Sequence, residues 1–258
     1  MVFAVPMLVT VGVIRGELKE FRNLNSRWFL ALATCGFFLF FHWLTWFVAV
    51  QRTTLANSMV FFAISPFFTA IGAWFFFREP FERRHVFASI LCFAGVGWIF
   101  HDSLSFEHER LMGDALALFS SVLFSCYFLL SKGIRRGLGN FPFTIVTYTS
   151  CGLVFAMVLA ARGELAPHFD RNTWIALVLL AVGPTLLGHA LFTFCLQYFN
   201  ANLISILILT EPVIGSVTAY FVLGEPIKSG VIMGFLVIAT GISGLFLPSL
   251  LAKKSFKA

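Results

Sequence analysis

Residues 200–226 read NANLISILILTEPVIGSVTAYFVLGEP, and Glu211 stands in the middle of them. Between Asn172 and Thr210 there is no Asp, Glu, Lys or Arg, and a further apolar run follows Pro212. About 20 apolar residues in a helix cross the hydrocarbon core of a bilayer, so this stretch reads as a membrane span with an acid at mid-depth.

The whole chain has the same character. Of its 258 residues 59% are hydrophobic and 12% charged, with 34 phenylalanines; the mean hydropathy is +0.90. Charged residues normally supply much of a soluble surface, so a soluble domain could not hide this much apolar area. Charge-poor runs recur near residues 28–51, 53–77, 85–101, 112–131, 141–161, 173–197, 199–223 and 229–250. The runs are too long for barrel strands and do not alternate apolar with polar residues. The expected class is an all-α integral membrane protein with about nine transmembrane helices, an incomplete N-terminal one included.

The net charge of +6 raises the question of nucleic acid, but the basic residues sit where a membrane protein uses them to set orientation. Most of the 18 Lys and Arg fall in alternate connections: Arg15, Lys19, Arg22 and Arg27; Arg78, Arg83 and Arg84; Lys132, Arg135 and Arg136; Lys253, Lys254 and Lys257. The other side holds Arg52, Arg110, Arg162, Arg171 and Lys228. The positive-inside rule then puts the first group and the C-terminus in the cytoplasm of a cell whose inner membrane the chain crosses. The partners expected are lipid and a small-molecule substrate, not nucleic acid. The five cysteines lie apart within predicted spans and form no CxxC pair, so no metal or redox cofactor is called for.

The chain is internally duplicated. Residues 53–100 align without a gap to 199–246: Pro66 meets Pro212, Ala73 meets Ala219, Glu79-Pro80 meets Glu225-Pro226, and Gly95 meets Gly241. Upstream, RGEL recurs at 15–18 and 162–165, and a glycine six residues before a histidine occurs as Gly36 with His42 and Gly183 with His189. The domains read are 1–103, a first repeat; 111–250, a second; and 251–258, a basic cytoplasmic tail. The turn REPFERRH is strongly basic while its counterpart GEPIKSG carries one lysine, so the repeats are expected to be inverted.

Matching the two RGEL segments places Met1 opposite Tyr148, so the stretch from Met112 to Thr147 has no counterpart in the first repeat. Met1 to Ile14 would extend about 21 Å as a helix, short of a core of about 30 Å. A start placed too late is the simplest expectation, with a degenerate half-transporter or a gap filled by a partner as the alternatives. An intact mass of the native protein decides among them.

TTLANSMVFFAISPFFTAIGAWFFFREP at 53–80 and NANLISILILTEPVIGSVTAYFVLGEP at 200–226 resemble the paired signature helices of the EamA family in the drug/metabolite transporter superfamily. The resemblance covers almost the whole chain and implies ten helices as two inverted five-helix repeats around a central cavity. It also implies movement of small organic metabolites or amino acids, commonly outward. The chain departs from that pattern in lacking the first helix, which in such transporters helps to line the cavity.

Of the 12 acids, Glu211 alone is read at mid-span, the others at loops or helix ends. An ionised carboxylate at the bilayer centre costs several kcal/mol unless it is paired or hydrated, so such a group faces the protein interior or a wet cavity. Pro212 leaves the carbonyl of Ile208 without its helical donor, and loosened backbone at that depth suits a substrate-lining bend. Ser65 and Pro66 hold the same place in the first half. Ser58, Ser65 and Thr69, with Gly72, make a polar and small stripe whose equivalents include Glu211, Gly215 and Thr218, and these stripes are expected to face the pathway.

Glu211 would bind a substrate ammonium, carry a proton, or both; a buried structural acid at a bend is the plainer reading. His42 and His189 are candidate pathway residues at matched positions, and Trp46, with Trp43, offers a flat wall to an aromatic or cationic solute. Asn57, Ser125, Tyr127, Tyr148 and Asn202 are weaker candidates. Glu79-Pro80 and Glu225-Pro226 end helices, and Gly230 and Gly234 suit close packing.

An enzyme is disfavoured. Gly241-Ile242-Ser243-Gly244 matches the GxSG pattern of an intramembrane protease, but no histidine follows to act as base. No phosphate-binding loop is present either, so ATP would have to be spent by another chain. A non-transporting scaffold or partner subunit would need longer loops than this chain has. Proton coupling, the direction of movement and the oligomeric state stay open at this stage, with an uptake permease or exchanger of the same fold as the alternative to export.

Overall fold

The computed structural model describes residues 1, 3–80, 82–104, 107–164, 169–224, 226–227 and 229–255, and the side chains of 23, 103, 223 and 246–255 lie outside the description. Glu225, Lys228 and the side chains of the basic tail therefore fall outside it. The described residues are helical throughout: α1 Ala4–Arg15, α2 Ser26–Arg52, α3 Leu55–Phe62, α4 Ser65–Phe77, α5 Arg83–Phe100, α6 Leu111–Arg135, α7 Asn140–Ala161, α8 Arg171–Leu180, α9 Leu191–Cys195, α10 Ala201–Ile208, α11 Glu211–Leu223 and α12 Ser229–Ser255. Short 3₁₀ turns lie at Glu17–Asn23, His101–Ser103 and His108–Arg110, and Ala181–Ala190 is π-helical.

Six stretches are long and apolar enough to cross a membrane among the described residues: Ser26–Arg52, Leu55–Phe77, His108–Arg135, Asn140–Ala161, Arg171–Cys195 and Ala201–Val222. Two apolar helices, Ala4–Arg15 and Ser229–Leu245, are shorter. The stretch expected as a span at 85–101 is the 18-residue α5, whose first turn carries Arg83 and Arg84, and it is not one of those six. The apolar surface is turned outward: Ile14, Leu30, Phe76 and Phe221 are all well exposed, as a lipid solvent allows.

The chain forms two compact units, each drawn from both halves of the sequence: Met1–Trp43 with Cys126–Phe199, and Leu44–Ser125 with Asn200–Ala258. In the first unit α1 ends where Gly16 turns left-handed at φ 66°, and Gly36 of α2 comes so close to α7 that a Cβ would lie 2.7 Å from the Thr147 carbonyl. The Asp170 carboxylate caps α8 by accepting the Thr173 amide proton at 3.1 Å. The Thr173 hydroxyl and amide hold that carboxyl below the usual range.

The second unit is built on α5 against α12. A Cβ on Gly95 would sit 2.8 Å from the Gly234 carbonyl and 2.6 Å from Ile238, and one on Gly241 would sit 3.1 Å from the Ala88 carbonyl and from the Cys92 sulfur. Gly95 and Gly241 are repeat equivalents, and so are Ala88 with Gly234 and Cys92 with Ile238, so the contact is reciprocal. Ala88, Cys92, Val96 and Ile238 are its buried centre. Cysteines 35, 92 and 151 are buried and 126 and 195 half-buried, all free.

The second unit also shows the bends expected of the prolines. α3 stops at Phe62 and α4 restarts at Ser65 with Pro66 in its first turn. α10 stops at Ile208 and α11 restarts at Glu211 with Pro212 in its first turn. At both breaks the chain tightens to three-residue spacing: the Ile64 amide donates to Phe61 and the Phe67 amide to Ile64, as Thr210 does to Leu207 and Val213 to Thr210. The two half-helices end alike, at Arg78 (φ 57°) and Gly224 (φ 72°), both left-handed. Glycine takes that conformation without cost and arginine does not, so this turn is the more strained in the first repeat.

Candidate functional site

The bend residues are on the second unit. Glu211 is the first residue of α11, and its side chain is exposed. Its carboxylate has no hydrogen-bond or ion-pair partner among the described residues. An accessible, unpaired acid inside an apolar span is an arrangement suited to meeting a cation or a proton.

Its counterpart Ser65 is buried, and so are Ser58 and Thr69. These hydroxyls are partly spent on the protein itself. Ser58 donates to the Thr54 carbonyl at 3.1 Å, and Thr69 donates to Ser125 Oγ at 3.2 Å. The single proton of Ser125 then serves the Ser65 carbonyl at 3.0 Å or the Ser121 carbonyl at 2.9 Å. The stripe on α4 thus ties the bend to α6, while the equivalent stripe on α11 is open. Thr218 is exposed and its hydroxyl bonds back to the Ile214 carbonyl. Trp46 is half-exposed and meets Phe62 edge-on at 5.3 Å, which meets Phe124 in turn at 5.3 Å.

One polar cluster in this unit escaped the sequence reading. Asp114, in the first turn of α6, is buried and accepts from the Thr53 hydroxyl at 2.6 Å and from Asn57 Nδ2 at 3.0 Å. Thr54 joins it by donating to Asn57 Oδ1 at 2.9 Å. Gly113 lets α6 approach the backbone of Arg52 and Thr53 to within 2.7 Å of where a Cβ would stand. Two donors on one buried carboxylate make this the polar lock of α3 on α6. Asp114→Ala strands both donors, so the thermal midpoint in detergent should fall by the equivalent of about 2–3 kcal/mol, and Asp114→Asn by less. An unchanged midpoint in Asp114→Ala would show that the lock holds nothing.

The histidines lie on the first unit. His42 is buried in α2 beside Trp43, ring centroids 5.3 Å apart. His189 is half-buried in the π-helical segment. Its ring stacks on Tyr127 at 5.1 Å, and Nδ1 lies 3.2 Å from the Tyr148 hydroxyl. That hydroxyl also reaches the Thr185 carbonyl at 3.3 Å. Pro184 supplies no amide to this helix, and the Thr185 hydroxyl takes over by donating to the Leu180 carbonyl at 2.9 Å. Wide helical turns of this kind gather at functional positions. The first-half copy around Gly36 and His42 stays α-helical, which fits its lack of a proline.

Two cations read from the sequence as orientation charges are buried here. Lys132 donates to the Phe199 carbonyl at 3.2 Å, and Arg135 donates to the Leu138 carbonyl at 2.7 Å between the rings of Phe143 and Phe194.

The profile of the EamA-like transporter family matches residues 1–101 and 111–247. The chain belongs to this family. EamA-like proteins are transporters, not enzymes, and this chain is a multi-pass membrane protein. It is 26% identical over 195 residues to an uncharacterized transporter of Bacillus subtilis (strain 168), covering 75% of this chain and 62% of that one. A probable amino-acid metabolite efflux pump of Salmonella typhimurium is 25% identical over 197 residues, 72% of this chain and 64% of the pump. The match thus spans less than two thirds of the length of these relatives. A solved crystal structure shares the fold with a TM-score of 0.79 at 16% identity, covering 98% of this chain and 85% of the other.

Proposed function

We propose that this EamA-like chain carries small organic metabolites, amino acids among them, outward across the cytoplasmic membrane by alternating access between two inverted repeats. The observation that carries the reading is Glu211: an exposed acid without a described partner at the broken point of an apolar span. It meets the ammonium group of the substrate, a coupling proton, or each in turn. Ser65, Ser58 and Thr69 support the opposite bend, and Thr218 and Trp46 border the solute's path on the same unit; His42 and His189, each within the first unit, are pathway residues of that unit. Pro66 and Pro212 supply the bends.

Inversion is supported by the reciprocal contact of α5 with α12, because equivalent residues exchange partners across a two-fold axis. It is supported too by the unequal charge of the two equivalent turns, and the excess of Lys and Arg in alternate connections supports a cytoplasmic C-terminus. Outward movement of amino-acid metabolites draws on the name of the Salmonella relative.

Metabolite profiles of cytosol and medium from overexpressing and deletion cells test the direction. Export predicts at least one small metabolite accumulating in the cytosol on deletion and in the medium on overexpression. The opposite pattern marks an uptake permease, and no change in either strain leaves the transport reading without a substrate and defeats it.

A further inference from the structure

Behind each bent half-helix of the second unit lies a cavity, and the two occupy equivalent places in the repeats. One, of about 200 Å³, lies where α4 meets α5 and is lined by Phe67, Ile71, His85, Val86, Ser89 and Asn202. The other, of about 410 Å³, lies where α11 meets α12. In it Val213, Val217, Val231, Ile232 and Phe235 stand at the positions equivalent to Phe67, Ile71, His85, Val86 and Ser89. The duplication has kept the hollow but changed its chemistry. Two apolar residues, Val231 and Phe235, are replaced by an imidazole and a hydroxyl, and Asn202 adds an amide.

These polar groups are buried and not fully used. Asn202 is 4% exposed, and its Oδ1 has no hydrogen-bond partner among the described residues. His85 is 9% exposed; its Nδ1 makes no hydrogen bond, and Glu82 Oε2 is 3.9 Å away, engaged by Arg84. Ser89 is 7% exposed. An unmet buried acceptor costs about 1–3 kcal/mol, so it calls for a donor. The remaining walls are apolar, and a charged ligand would pay heavily to enter. A void of about 150 Å³ takes a benzene ring, so this one has room for a ring with a short side group. Ile71 and Val86 on its lining are exposed and apolar, a route open to molecules dissolved in the bilayer.

We infer that the cavity formed by α4, α5 and Asn202 is a binding site for a small neutral amphiphile bearing a hydroxyl, an alcohol or phenol, which gives its proton to Asn202 Oδ1 and presents its oxygen to Ser89 or His85. The twin cavity is apolar but for Thr218, whose hydroxyl proton is spent on the Ile214 carbonyl, and it has no such preference. The inference does not depend on which solute is transported.

Fluorine NMR on the full chain in lipid nanodiscs tests it, with para-fluorobenzyl alcohol and para-fluorotoluene as probes and protein-free nanodiscs subtracted. The wild-type protein should show saturable binding of the alcohol, about tenfold tighter than of the toluene, the worth of one hydrogen bond. Asn202→Leu should bring the two probes level. Ala70→Leu, on the wall of the same cavity, should remove the saturable component, and Val217→Trp in the twin should leave it intact. The comparison of probes on the wild type stands even if a variant fails to fold. Absence of saturable binding, equal affinity for the two probes, survival of binding in Ala70→Leu, or its loss in a folded Val217→Trp would each overturn the assignment.

Discussion

Glu211→Gln should reduce transport at least tenfold while the protein reaches the membrane in normal amount. The two side chains have the same shape, and the wild-type carboxylate is exposed and has no described partner, so its replacement breaks no internal bond. What disappears is the ability to hold a negative charge or to take and release a proton. A charge-assisted contact to an ammonium is worth about 1.5–3 kcal/mol, or roughly 10- to 100-fold in rate when the transport step depends on it. Glu211→Asp, which keeps the charge and draws it back by one methylene, should retain part of the activity. The measurement is efflux of the solute identified by metabolite profiling, from proteoliposomes, across a range of external pH. Wild-type rates at every pH in Glu211→Gln would reduce the residue to a helix-bend acid. A rate that is lower but no longer depends on pH would assign it to the proton, and one lost only for substrates with an ammonium group would assign it to the solute.

The sequence made Glu211 visible because charge inside an apolar run has few structural uses, and the duplication then matched Ser65-Pro66 to Glu211-Pro212 before any coordinates. Both bends and both helix ends follow from that alignment; the left-handed turns at Arg78 and Gly224 do not. Asp114 was passed over for the opposite reason. It stands four residues after Arg110, where an acid at a helix end is ordinary, and its partners Thr53 and Asn57 reach it through the packing of α3 on α6 rather than through any spacing along the chain. Lys132 and Arg135 carry the same lesson. Local sequence marks them as a basic helix end, and only the carbonyls of Phe199 and Leu138 reveal that they are held inside. The wide turn around His189 had a readable cause in Pro184, but a proline announces only that a donor is missing, not that the Thr185 hydroxyl will replace it. The twin cavities needed both sources: coordinates to find them, and the alignment to see that His85 and Ser89 replace Val231 and Phe235.

Gly234→Leu should all but abolish the folded protein. A Cβ at this position would stand 2.4 Å from Ile99 Cγ1 and 2.6 Å from the Gly95 carbonyl, and the second of these is backbone that cannot swing aside. Overpacking costs about 1–3 kcal/mol where side chains can yield. Here α5 and α12 must part along their contact, so the loss should exceed about 3 kcal/mol, a large share of a total that is commonly 5–15 kcal/mol. The neighbouring glycines form an internal scale. Gly241→Leu meets the Ala88 carbonyl and the Cys92 sulfur at 3.1 Å and should cost less; Gly230→Leu has its nearest atom, the Trp98 carbonyl, at 3.7 Å; and Gly244→Leu meets nothing within 4 Å. The expected order of folded yield, read by size-exclusion chromatography of detergent extracts, is therefore Gly244→Leu and Gly230→Leu near wild type, Gly241→Leu intermediate and Gly234→Leu lowest. Hydrophobicity alone would rank these four substitutions together, since each adds the same side chain to the same apolar helix. A Gly234→Leu protein as abundant as Gly244→Leu would mean that the reciprocal α5–α12 contact is absent from the folded molecule, and the support it lends to inverted repeats would go with it.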